Sequence, residues 1–428
     1  MPLDVDAPPT DAQEWEEHAS RSRARRARPR RLIRTRAGAL LVGLVAVLAV
    51  ATLIGVLALW PHGRLHVRGG GAFGGKSLGA TVVAASNRQC AGPVTQSCRV
   101  VDVRLTSGSE RGKRTLIAAG PGSFTPAYQV GAKVRVVKNF DLPVNAPLVT
   151  SGPGAAQANR YTLVDYDRRS PMLWLALAMG VLVVIVGRLR GALSLVGLGA
   201  SLVIVTQFVV PAIIAGRSPF LVALFGSLAV MLITVTLSSG LGAQSLAAAL
   251  GIAASLLLAA GLGLLVVKLA HLNGATSDLA ISLRESGSRV SLEGLVIAGM
   301  VIGVLGVLAD MAVSQASAVM ALRRANPAQR FRELYRGAFV VGRDHFAATI
   351  NTLVFAYVGA SLPLLILFKT AGVTFTDAIN AQDVASPVVA GLVGAIALIV
   401  SVPATTALAA LLAANVPARA LPADAHAH

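Results

Sequence analysis

AGALLVGLVAVLAVATLIGVLALW, residues 37–60, is an unbroken run of 24 uncharged and mostly apolar residues. Coiled as a helix, such a run is long enough to cross the roughly 30 Å hydrocarbon layer of a bilayer. A secretory signal peptide is the rival reading, but its apolar core would be shorter and would end at small residues. This run ends at Trp60-Pro61, and the nearby Arg30-Arg31 pair forms only an incomplete twin-arginine motif. The stretch therefore reads as an uncleaved transmembrane anchor. Working outward from it fixes the rest of the chain.

Upstream, residues 1–36 begin acidic and end with nine arginines between Arg21 and Arg36. A segment so polar cannot bury a core and is expected to be a disordered tail. Downstream, residues 61–171 carry 15 Lys/Arg, 5 Asp/Glu and both cysteines, with no helical apolar period. Cys98-Arg-Val-Val-Asp-Val-Arg-Leu105 alternates, with Val101, Val103 and Leu105 on one face, and Ala132-Lys-Val-Arg-Val136 does the same. Turn signals at Gly108, Gly112 and Gly120-Pro121-Gly122 separate these runs. Period-two alternation broken by glycine predicts the short strands of a small, barrel-like sheet domain.

From residue 172 the apolar runs return, near 172–187, 191–214, 219–238, 243–267, 292–312, 347–368 and 387–412. The expected architecture is a polytopic all-α membrane bundle of about eight transmembrane helices, with the β-rich domain between helices 1 and 2. Residues 172–414 form the seven-helix part and residues 415–428 a second tail. Composition agrees: 54% of residues are apolar and only 14% charged, against about a quarter charged in soluble domains.

The net charge of +18 is concentrated beside the spans, with six more basic residues between Arg323 and Arg343. Basic clusters of this kind orient helices and meet anionic lipid headgroups, so the lipid bilayer is the expected partner. Aromatic residues do not interleave with the basic ones and no nucleic-acid motif is present, which argues against nucleic-acid binding. With the Arg-rich tail inside, eight spans put both termini, 188–190, 239–242 and 313–346 on the cytoplasmic side, and 61–171 outside. Abundant alanine and a marked excess of arginine over lysine hint at a bacterial source, and hence an inner-membrane location. Cys90 and Cys98 would then face an oxidising compartment, where a disulfide is the preferred reading. A metal site would need further ligands, and none has the spacing.

Ionisable groups near apolar spans are costly and therefore informative. Asp310, Ser314 and Ser317 fall at i, i+4 and i+7 and share one helical face. Gly299, Gly303 and Gly306 upstream make a smooth flank suited to close helix packing. A second polar stripe comprises Arg343, Asp344, His345, Thr349, Asn351 and Thr352. The bland alternatives are a solvated helix end for Asp310 and an ordinary interfacial pair for Arg343 and Asp344. If the two aspartate faces met near the inner leaflet they would form a hydrophilic pocket. Prolines 211, 363 and 403 lie in or beside spans, while His271, the His-Ala-His end and Gln244 have no partners by spacing. No Walker A loop, HExxH site or GxSxG elbow is present, and no catalytic residue or cofactor is expected.

The strings Val164-Asp-Tyr-Asp-Arg-Arg-Ser-Pro-Met-Leu-Trp174, Gly187-Arg-Leu-Arg-Gly191 and Leu269-Ala-His-Leu-Asn-Gly274 open a longer pattern. It continues through Asp310-Met-Ala-Val-Ser-Gln-Ala-Ser-Ala318, Val341-Gly-Arg-Asp-His345 with Thr349-Ile-Asn-Thr-Leu353, and Ala356-Tyr-Val-Gly-Ala-Ser-Leu-Pro-Leu-Leu365. From about residue 80 to residue 412 the chain resembles the YibE/F-like family of bacterial multipass membrane proteins. Departures are modest: Ala309, Ala312 and Gln244 stand where that family more often has an acidic or small residue, a threonine and a basic residue. The resemblance implies a fold and a membrane location, and it transfers no activity. The expected function is permease-like or channel-like movement of a small solute or ion past Asp310, Asp344 and Asn351. The alternative is a non-transporting scaffold or regulatory partner that uses its outer domain, as a homo- or hetero-oligomer.

Overall fold

The computed structural model describes residues 36–61, 77–91, 96–121, 128–138, 148–149, 161–240, 242–275 and 290–415. The Arg-rich tail before residue 36 and the segment after residue 415 lie outside the described residues. The chain divides into two compact units, one built on a sheet and one on helices.

The sheet unit contains β1 (Leu78–Ala91), β2 (Gln96–Leu105), β3 (Arg114–Pro121), β4 (Lys133–Lys138), β5 (Leu148–Val149) and β6 (Tyr161–Tyr166). All pairings are antiparallel, in the order β3-β2-β1-β4-β6, with β5 on β1. The alternation seen in the sequence sets the faces: Val101, Val103, Val134 and Val136 are fully buried together with Ile117 and Tyr161. The sheet curls until β3 approaches β6. Register shifts at Val82/Ala84, Arg99/Val100 and Arg135/Val136 mark bulges, which increase local twist and favour such curling. Gly108 and Gly112 both turn at φ +90°, a region glycine enters freely, and shape the β2–β3 connection. Gly120 and Pro121, expected as a turn, instead finish β3 at the sheet edge, where a missing N–H is tolerated.

Among the described residues three ion-pair groups brace the unit, one of them Arg135 with Asp167 at 3.8 Å. Glu110 receives Lys138 at 2.8 Å and Lys113 at 3.7 Å, fastening the β2–β3 turn to β4. At the end of β6, Arg168 donates to Asp165 at 2.5 Å and lies over the Tyr166 ring. The Val164–Trp174 string thus locks the last strand to the start of the following helix. Arg168 holds the Asp165 carboxyl below its ordinary value. A depressed carboxyl stabilises the fold above its unfolded pKa, and that contribution is lost as pH falls through the lower folded value. Acid titration followed by circular dichroism should therefore show this loss only below about pH 4. Asp165→Asn should flatten that limb; an unchanged titration would remove the lock.

The helices are α1 (Arg36–Leu59), α2 (Arg169–Ile204), α3 (Val210–Ile214), α4 (Pro219–Ser239), α5 (Ala243–Leu269), α6 (Leu292–Ala325), α7 (Phe331–Thr370), α8 (Phe375–Asn380) and α9 (Gln382–Asn415). Among the described residues seven helical stretches are long and apolar enough to cross a membrane, against the eight expected. The difference lies in 169–214, which forms one 46-residue stretch. Its backbone nevertheless leaves helical geometry at Arg188, with φ 49° and ψ −135°, inside the Arg188-Leu-Arg190 divider seen in the sequence. A single π-helical turn, Val205–Val209, joins α2 to α3 just before Pro211. Proline has no N–H to give and crowds the carbonyl four residues back, which accounts for a widened turn there. Pro363 and Pro403 sit inside helices that run on past them.

A second difference concerns 313–346, expected as a cytoplasmic loop. It is almost wholly helical, because α6 runs on to Ala325 and α7 starts at Phe331. Polar residues still favour helix when capped, and Glu333 accepts from the Arg330 N–H at 2.9 Å. Phe331, Tyr335 and Phe339 stack at i, i+4 spacing along the new segment.

In the helical unit α5, α6 and α9 form the centre. The buried positions of α5 are dominated by small residues, including Ala247, Ala248, Ala249, Gly251 and Ala253. Small side chains let backbones approach, which is how membrane helices gain packing energy without a hydrophobic drive between them. Gly251 is the closest of these approaches: a Cβ there would lie 2.9 Å from Thr405 Cβ and 3.2 Å from its Cα. Gln315, buried on α6, donates to the Ala338 carbonyl of α7 at 2.7 Å and to Thr406 Oγ1 of α9 at 2.8 Å.

Candidate functional site

One end of the helical unit collects the chain segments 189–193, 237–244 and 313–324. They enclose a cavity of about 880 Å³. Each wall has a local cause. The break at Arg188 brings Leu189, Arg190 and Leu193 to the rim. Gly240, at φ 70°, ends α4 and leaves Ser238 and Ser239 on its last turn. The 3.6-residue period of α6 lines up Val313, Ser314, Ser317, Ala318, Ala321 and Arg324.

Polar contacts organise the lining. Gln244 Nε2 donates to Ser317 Oγ at 2.5 Å, joining α5 to α6 across the cavity. Ser245 Oγ donates to the Gly240 carbonyl, which ties the start of α5 back to the α4–α5 turn. Arg324 anchors through its Nε on the Met320 carbonyl at 3.1 Å. Its neighbour Arg323 is occupied elsewhere, donating to the carbonyls of Pro327 and Gln329 in the α6–α7 turn. Among the described lining residues the charged ones are Arg190 and Arg324. The α5 N-cap is Gly242, which brings no side-chain acceptor to the first-turn N–H groups.

Of the residues picked out in the sequence, Ser314 and Ser317 line this cavity. Asp310 shares their helical face one turn earlier and is exposed, without joining the lining. On α7, Arg343, Asp344, His345, Asn351 and Thr352 are exposed and Thr349 is half-buried. Thr349 and Thr352 donate to the His345 and Ala348 carbonyls of their own helix, at 2.9 and 3.1 Å. Their hydroxyls are thus satisfied within α7. Among the described residues, no ion pair joins Asp310 or Asp344 to any partner. The pocket imagined between the two aspartates is not formed by either described cavity; the second, of about 380 Å³, lies by Phe368, Lys369 and Phe375.

Gly299 and Gly306 face open space, and Gly303 comes near only the Tyr357 hydroxyl, at 3.5 Å. Close helix approach occurs instead at Gly251, Gly342 and Gly394. Cys90 pairs with Gln96 and Cys98 with Arg88, so the cysteines occupy adjacent strands two register positions apart. Their side chains lie outside the described residues. No group of three or more His, Cys, Asp or Glu is placed to hold a metal ion among the described residues.

Sequence reasoning passed over Gln244, which spacing left without a partner. Its partner Ser317 is 73 positions away, and no local pattern reports a pairing across two helices. Gln315 was missed for the same reason. Arg190 and Arg324 were visible only as charge beside spans.

No curated protein and no solved structure matches the chain. The sequence model of the YibE/F-like protein family matches residues 175–415, which takes in every helix from α2 onward and all of the cavity. On that match, which covers more than half of the chain, the chain belongs to the YibE/F-like family.

Proposed function

We propose that the protein is a permease-like or channel-like component of a bacterial inner membrane, and that the 880 Å³ cavity is the cytoplasmic vestibule of its path. One observation carries this reading. Charge asymmetry assigns 188–190, 239–242 and the end of α6 to the same side of the membrane, and residues from all three line one cavity. Eight crossings, with the break at Arg188 counted as a turn, give that arrangement and place both termini inside. A hydroxyl- and arginine-lined space at that depth suits a polar solute, since lipid alone would leave those groups unsatisfied.

Reconstituted vesicles test it. Flux of a panel of small ions and metabolite-sized solutes should exceed that of protein-free vesicles. Ser314→Trp, which narrows the cavity, should reduce it by about tenfold or more, a barrier change of roughly 1.4 kcal/mol. Asp310→Asn should reduce it as well if the path continues along the same α6 face. Asp344→Asn, in neither described cavity, is the contrast. Flux indistinguishable from empty vesicles for the whole panel would leave the scaffold reading in its place.

Orientation has a separate test. If the sheet unit is extracytoplasmic, a membrane-impermeant maleimide should label Cys90 and Cys98 on intact cells only after reduction. Labelling that needs cell lysis would reverse the topology, and labelling without reductant would remove the disulfide.

A further inference from the structure

We propose that α7 is a dimerisation helix, and that a second copy of this chain covers its outer face. The helix packs on its own unit through Leu334, Ala338, Gly342 and Leu353, with Phe346, Ile350 and Tyr357 beside them. At 100° per residue, a second row lies on the opposite side: Val341, Asp344, Ala348, Asn351, Phe355, Val358 and Leu362. Every member of that row is exposed, Phe355 by 73%. The steps alternate between three and four residues, the 3.5-residue period of a helix that winds about a partner, and the row stops just before Pro363. Only 6% of the most apolar stretch of α7 is buried, against 44–50% for α4, α5, α6 and α9.

Lipid suits the apolar members of this row and leaves the polar ones unsatisfied. Asn351 lies four residues inside the apolar run 347–368, about 6 Å along the helix. None of the hydrogen bonds among the described residues engages its amide. Hydrocarbon offers no partner there, and asparagine is too short to reach the interface as lysine or arginine does. A second copy answers by symmetry. Copies inserted the same way meet with α7 parallel about a two-fold axis along the membrane normal, so each residue of the row faces its own counterpart. The carboxamide both donates and accepts, so two Asn351 side chains satisfy each other, and such a pair also fixes the register. Ala348, one turn away, lets the helices close at that level. Two Asp344 carboxylates alone would repel. His345, exposed and next in the chain, flanks the row, where symmetry sets its ring N–H beside the Asp344 of the other copy, twice over. The chain's own apolar stretch 171–186, PMLWLALAMGVLVVIV, holds no amide, hydroxyl or charged side chain to meet Asn351 or Asp344.

Cysteine crosslinking of the full-length protein in native membranes provides the test. Cys90 and Cys98 are the two natural cysteines and are first replaced by serine. On oxidation with copper phenanthroline, Ala348→Cys, Phe355→Cys and Val358→Cys should each give a product of twice the chain mass. Ala356→Cys, exposed but off the row, and Leu353→Cys, on the packed face, should give none. Energy transfer between labelled copies in liposomes then reads the strength of the pair. Asn351→Leu should raise its dissociation constant about three- to tenfold, and Asn351→Gln should restore most of the loss. Since Asn351 is exposed within its own chain, both variants should melt with the wild type in a detergent that keeps the chain monomeric. Should Asn351→Leu fail to fold, Phe355→Ala gives the same readout.

Dimers formed from none of the five cysteines, or equally from all of them, overturn the proposal. An adduct of any other mass overturns it too, because a different membrane protein then occupies the row. So does a crosslink within one chain between Phe355→Cys and Leu177→Cys, which would make α2 the cover. The interface stands apart from the vestibule reading. Row-specific dimers without flux would retire the conduit and keep the interface, and flux from a protein that gives no dimers would do the reverse.

Discussion

Gly251→Leu is expected to cost the helical unit roughly 3 kcal/mol or more, because overpacking at a site that cannot relax is among the most damaging single changes. The obstacle is main chain as well as side chain. A Cβ at 251 would stand 3.2 Å from the Thr405 Cα, so α5 and α9 must separate to admit even a methyl comfortably. Both helices belong to the central group, where separation also strips contacts from α6. The measurement is thermal unfolding in detergent, with size-exclusion profile as a second readout. Gly251→Ala should fall between wild type and leucine, and Thr405→Ala in the same chain should recover part of the loss. A leucine variant that melts with the wild type would mean that α5 and α9 are not packed as described.

Gln315→Leu is the second large effect, expected near 1–3 kcal/mol from two interhelical hydrogen bonds inside the membrane domain. The two lost contacts are not equivalent. Thr406 Oγ1 keeps its own bond to the Val402 carbonyl at 2.6 Å, so it remains satisfied when the amide is gone. The Ala338 carbonyl keeps its place in the helical ladder of α7, but α7 loses its polar tie to α6. Hydrogen exchange should therefore rise around Ala338 and Gly342 more than around Thr406. Equal protection in wild type and variant at all three would remove Gln315 as the link. Gly342 belongs to the same device, since a Cβ there would lie 2.8 Å from the Gln315 Cδ. Its lack of a side chain makes room for the amide.

How much of this was legible in the sequence depended on the range of the interaction. Apolar runs reported the spans because each run acts alone, and Val101, Val103 and Leu105 reported a buried strand face because alternation is local. Ser314 and Ser317 were found through helical period, and they do line the cavity. Gln244, Arg190 and Gln315 were not found, since each works through a residue on another helix. The Gly299, Gly303 and Gly306 flank makes no close helix contact within the described residues. Small residues permit close approach without requiring it, and close contacts fall instead at positions such as Gly55, Gly251 and Gly342. In the α6–α7 region charge marks only the end of the apolar part, and the helices themselves run on.

That last feature has a mechanical consequence. At 1.5 Å per residue the 34 residues of α6 run about 51 Å and the 40 residues of α7 about 60 Å, each well beyond the thickness of the hydrocarbon. Arg323 stitches the short turn between them shut through Pro327 and Gln329. If the pair is embedded, its excess length stands out as a stiff mast, with Arg324 beside the turn at its tip and Ser317 two turns further down. Anything that grips the tip would then pull directly on Arg324 and, through the helix, on Ser317.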